Sequence, residues 1–125
     1  MSTKKITITV RIDADHVNWI ENKRENGEAR NASVVVRSAL QRLVDAPPLS
    51  ADIDDYLRER EMTTPVRVSR AYQVDGALFG AVQARCDELD CPITVFTNLA
   101  MDRYRDASVA LPVVEARFMD AERVE

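Results

Sequence analysis

The chain has 125 residues and a mass of 14.1 kDa, enough for one compact domain or two very small ones. Apolar residues make up 46% and charged residues 30%, and no apolar run approaches the roughly 18 residues of a membrane span, so a transmembrane protein is excluded. The net charge of −4 and pI near 5.1 argue, as averages, against a nucleic-acid binder.

The averages conceal a division. Residues 1–45 hold eight Lys/Arg against six Asp/Glu, 46–65 two against five, 66–105 five against five, and 106–125 two against five. The acid therefore sits in a middle segment and a tail, and only the first third is basic. MSTKK leads straight into ITITVRID without an apolar stretch or cleavage site, so the expected location is the cytoplasm.

Residues 5–12, KITITVRI, alternate with period two, which puts Ile6, Ile8, Val10 and Ile12 on one face and Lys5, Thr7, Thr9 and Arg11 on the other. This is a strand with one buried face. Asp13 stands as the N-cap of a helix to about Asn26, with Trp19 and Ile20 as apolar anchors and Gly27 as its stop. A second helix begins at Asn31 or Ser33 and runs through Val44, with Val36, Leu40 and Leu43 on one face. Ala46-Pro47-Pro48 ends it, and Thr63-Thr64-Pro65 closes a 46–65 acidic linker in which Ser50 can cap a short helix to about Glu61.

One strand and two helices in about 40 residues cannot bury enough apolar surface to be stable alone. The combination ITVRID, a helix carrying Trp19-Ile20, the Asn26-Gly27 turn and Asn-Ala-Ser-Val-Val-Val-Arg-Ser-Ala-Leu resembles the ribbon-helix-helix family, and most closely its ParD-type antitoxins and CopG-like repressors. Val34 departs from the pattern, since such antitoxins commonly carry an acidic residue there. The resemblance implies two units that pair their strands into an antiparallel ribbon inside a four-helix core, with the ribbon laid in the DNA major groove. It implies Thr7, Thr9 and Arg11 as base readers. It also implies a phosphate held by the backbone at Asn31, Ala32 and Ser33, where the helix dipole favours an anion, with Lys4 and Lys5 adding positive charge.

Residues 66–105 read as a degenerate copy of the same plan. Val66–Tyr72 alternates, a helical stretch follows from about Val74 to Leu89, and Pro92-Ile93-Thr94 opens a last helix to about Arg105. TVFTNLAM from Thr94 matches SVVVRSAL from Ser33 at an offset of 61, and Phe79 falls 60 positions after Trp19. The second strand then offers Arg67, Ser69 and Ala71 to DNA, with Arg67 and Ser69 as readers and Thr94 as the second phosphate contact, while Arg70 on its inward face is irregular. The expected fold is thus mainly α with a short β-ribbon, organised as unit 1 (1–45), linker (46–65), unit 2 (66–105) and tail (106–125). Closure within one chain as a pseudo-dimer and pairing between two copies both remain open.

Other features carry less. Cys86 and Cys91 match no zinc knuckle and His16 is the only histidine, so no metal or other cofactor is expected, and Cys86 follows Phe79 and Val82 at helical spacing as a core residue. No nucleophile elbow or phosphate-cradling glycine loop is present, so an enzyme is not expected. The segment from Pro112 reads as a short amphipathic helix that covers unit 2 or docks a partner. The function so implied is a sequence-specific repressor of its own operon that binds double-stranded DNA. The alternatives are an antitoxin that also binds a small toxin protein, and a plasmid or phage accessory protein for transfer or partition.

Overall fold

The computed structural model describes the backbone of residues 4–121 and the side chains of residues 4–107. The protein is mainly helical with one two-stranded antiparallel sheet, in the order β1 (Lys5–Asp13), α1 (Ala14–Glu25), α2 (Ala32–Asp45), α3 (Ser50–Thr63), β2 (Arg67–Asp75), α4 (Gly76–Leu89) and α5 (Ile93–Ala121). β1 forms because Ile8, Val10 and Ile12 alternate with polar residues and are almost wholly buried, while Thr7, Thr9 and Arg11 face water. α1 stops at Gly27, whose φ of +79° lets the Gly27 and Glu28 N–H groups turn back onto the carbonyls of Arg24 and Lys23. α2 starts at Asn31, whose side-chain oxygen accepts the Val34 N–H at 3.0 Å.

The two strands pair within the one chain. Thr9 faces Ala71 at the middle of the ribbon, and Lys5–Asp75 and Asp13–Arg67 close its ends. Below it, α2 and α5 pack on each other more extensively than any other helix pair, with Val36, Leu40, Phe96 and Met101 each at most 1% exposed. The alternating face of the ribbon and the stripes of these two helices share a single core, completed by Ile20 from α1 and by Leu78 and Val82 from α4.

Several boundaries and roles differ from the sequence reading. The second strand does not end at Tyr72 but runs to Asp75, and α4 begins at Gly76 instead of Val74. The inward row is Val68, Arg70, Tyr72, Val74, and the charge at Arg70 breaks an alternation that the buried Tyr72 and Val74 continue. Arg70 itself is exposed, its guanidinium donating to the Ser69 carbonyl, because a two-stranded sheet is all edge and a long side chain reaches water past it. Asp13 lies just ahead of α1, yet its carboxylate makes no cap bond and binds cations instead.

Residues 46–65 do more than link. The short helix expected from Ser50 is present as α3, and it places Ile53 and Tyr56 in the core, which makes it part of the fold rather than a linker. α5 continues past Arg105 to Ala121 as one helix that passes through Pro112, so the short helix expected to start at Pro112 is instead the last part of α5. The packing expected of the tail lies outside the described side chains.

Candidate nucleic-acid interface

The outer face of the ribbon is a flat strip of small and polar side chains. Thr7 stands opposite Gln73, Thr9 opposite Ala71 and Arg11 opposite Ser69, and all six are exposed. Its backbone is held from beneath by helices that belong to the other strand's half of the chain. Asn98 on α5 donates from Nδ2 to the Arg11 carbonyl at 3.0 Å and accepts the Asp13 N–H at 2.9 Å. Arg37 on α2 donates to the Gln73 carbonyl at 2.9 Å, and the Ser33 hydroxyl accepts the Gln73 N–H at 2.9 Å. Arg11 and Gln73 are thus fixed at the main chain, while their side chains form no hydrogen bond among the described residues.

Each end of the ribbon carries a carboxylate that meets a cation across the strands. At one end Lys5 Nζ lies 2.8 Å from Asp75 Oδ1 in solvent, and this bond holds the Asp75 carboxyl below its usual range. At the other end the pair is buried and extended. Asp13, 3% exposed, takes Arg67 Nε at 3.0 Å on one oxygen and Arg60 from α3 at 3.1 Å on the other. Arg60 also reaches Asp102 at 2.6 Å, and Asp102 faces His16 Nε2 at 3.0 Å. Arg105 lies 3.1 Å from His16 Nδ1 on the far side of the ring. Burial works to raise the Asp102 carboxyl, but the bond to His16 and the charges of His16 and Arg60 outweigh it and hold it low.

This network changes the standing of Arg67. Its side chain is one-quarter exposed and its guanidinium is bound to Asp13, so it serves the ribbon end rather than the open strip. Ser69, by contrast, stands on the strip beside Arg11.

A second feature borders the Thr7–Gln73 end of the strip. Lys5, Arg30 and Arg37 surround a shallow depression floored by Asn31, Ala32 and Ser33 at the start of α2. Four residues expected to face a phosphate are thereby gathered together, and Arg30 and Arg37 join them. Lys4 is exposed next to Lys5, and its carbonyl accepts the Gly76 N–H. Thr94 is half-buried in the first turn of α5, where its carbonyl accepts from Asn98. The residues just before α5 are Cys91 and Pro92, so that helix start has neither a cation nor an amide side chain ahead of it.

No family model, curated protein or solved structure matches this chain.

Sequence reasoning missed Gln73, Arg30 and Arg37. Gln73 was legible in principle, because extending the alternation of β2 by one residue puts it on the Ser69 face. Arg37 follows Ser33 by one helical turn, the spacing that places two side chains on one face. Cys86 and Cys91 are free thiols, both buried, and burial pushes Cys86 up to about 12. They line a crevice with Phe79 and Ile93, and among the described residues no cluster of His, Cys, Asp and Glu is arranged to hold a metal. Trp19 is half-buried and meets Tyr104 edge to face at 6.0 Å, with Lys23 over its ring at 5.0 Å. No described helix is long and apolar enough to cross a membrane.

Proposed function

We propose that the protein binds double-stranded DNA in a sequence-specific manner, as a ribbon-helix-helix pseudo-dimer in which β1-α1-α2 and β2-α4-α5 form the two units, and that it represses transcription by occluding a promoter. The observation that carries this reading is the outer strip of the ribbon. The open face of this antiparallel ribbon offers short side chains, Thr7, Thr9, Ser69 and Ala71, together with Arg11 and Gln73, whose side chains form no hydrogen bond among the described residues. A two-stranded ribbon fits the major groove, about 12 Å wide, and these side chains suit base edges: Arg11 can donate two parallel bonds to guanine, and a threonine methyl packs on thymine.

The basic depression before α2 supplies the complementary backbone contact. Arg30, together with Lys5 and Arg37, lines this depression beside the strip at the positive dipole end of α2. Phosphate contacts of this kind set register, and base contacts set sequence. The net charge of −4 leaves little non-specific attraction to DNA, so affinity rests on these contacts.

The test is selection of bound duplexes from a random library, followed by affinity measurements on the recovered sequence at several salt concentrations. Arg11→Ala is expected to lose about 1–3 kcal/mol and to relax preference at a single base pair. Changing Lys4 to alanine is expected to weaken all sequences alike and to lower the salt slope by about one. Undiminished and equally selective binding by the Arg11→Ala protein would overturn the proposal.

A further inference from the structure

The register of the ribbon locates its local two-fold axis. Asp13 and Asp75 both end their strands, and the pairing that joins Lys5 to Asp75 and Asp13 to Arg67 centres on Thr9–Ala71. Arg11 lies two residues beyond this centre on β1, and Gln73 lies two residues beyond it on β2. Each is fixed at the main-chain carbonyl by a side chain of the opposite half, Asn98 for Arg11 and Arg37 for Gln73. The two therefore occupy equivalent places with different chemistry. A guanidinium matches guanine O6 and N7, and a carboxamide matches adenine N7 and N6.

The flanks differ in the same sense. Beside Gln73 lies the depression with Lys5, Arg30 and Arg37, whereas the start of α5, which supports the Arg11 end, is preceded by Cys91 and Pro92. Proline has no N–H to offer an anion.

We infer that a single chain reads a non-palindromic DNA site in a fixed direction, with Gln73 specifying an adenine in one half, Arg11 a guanine in the other, and the main phosphate anchor on the adenine side. This rests on the DNA-binding reading above and assigns Gln73 as a specificity-determining residue. Arg11 and the position opposite Gln73 are four residues apart on β1, roughly 14 Å along the strand. At about 3.4 Å per base pair the two specified bases lie on the order of four base pairs apart.

The experiment is selection from a random duplex library with the full chain, repeated with Gln73→Ala, Gln73→Glu and Arg11→Ala proteins whose folding is checked by thermal melting. The wild type is expected to enrich one motif that is not self-complementary, bound by one chain per duplex. Gln73→Ala should lose on the order of 5- to 150-fold of the adenine preference and keep the guanine, and Arg11→Ala should do the reverse. Gln73→Glu preserves the shape of the side chain and should move the preference from adenine to cytosine, whose amino group a carboxylate accepts. A self-complementary motif, two chains per site, or unchanged preferences in both Gln73 variants would overturn the inference while leaving DNA binding intact. Failure of the wild type to enrich any sequence at low salt would overturn both.

Discussion

Asn98 shows how much of the ribbon depends on one side chain. It is fully buried, and its amide spans three main-chain groups: the Arg11 carbonyl, the Thr94 carbonyl and the Asp13 N–H. Truncation strands a buried donor and acceptor, each costing about 1–3 kcal/mol when left unpaired. Asn98→Ala is therefore expected to destabilise the protein by about 3 kcal/mol in urea denaturation. Arg37→Ala, which removes the equivalent bond to Gln73 from a more accessible site, should cost under about 1 kcal/mol. Equal costs for the two variants would show that burial does not govern these ties.

At the scale of elements, α3 is the part whose role the sequence concealed. It is fastened by Ile53 and Tyr56 in the core and by Arg60, which bridges Asp13 on the ribbon and Asp102 on α5. The low carboxyl of Asp102 gives this bridge a pH dependence. Its folded-state value lies below the ordinary 3.8, so its stabilisation is complete above 3.8 and is lost as pH falls from there through the lower folded-state value. The melting temperature of the wild type should exceed that of Asp102→Asn at pH 7, and the gap should close below about pH 4. A gap that persists undiminished into acid would exclude this origin. β1, α1 and α2 were legible because period-two and helical spacing are strong there and Gly27 and Asn31 mark the turn and cap. The helix of α3 was legible from Ser50, but its attachment was not, because only Ile53 and Tyr56 are buried in an acidic run and Arg60's partners lie 47 and 42 residues away in sequence. β2 was cut short because Val74 was counted into the helical stretch that follows, whereas it is the last buried residue of the strand's inward row. At the candidate site, the β1 face and the α2 start were readable from local pattern, and so was the face of Gln73 once β2 is extended, whereas the engagement of Arg67 by Asp13, 54 residues away in sequence, depends on which strands meet and in what register.

The whole molecule is closed by exchange between its halves. Ser33 and Arg37 of α2 hold β2, and Asn98 of α5 holds β1, so neither half completes its own strand. A ribbon shared by two copies would melt at a temperature that rises with protein concentration. Here the midpoint is expected to stay constant over about a hundredfold range of concentration, as followed by circular dichroism, and a rising midpoint would show that folding requires a second copy. The covalent ribbon also has a genetic consequence. A homodimeric regulator mixes sound and defective subunits, so one damaged allele can poison the other's product. In this protein both strands come from one translation event, and a defective copy has no strand to lend to a sound one. Loss-of-function alleles should therefore be recessive, and the effect of a sound gene should scale simply with its dosage.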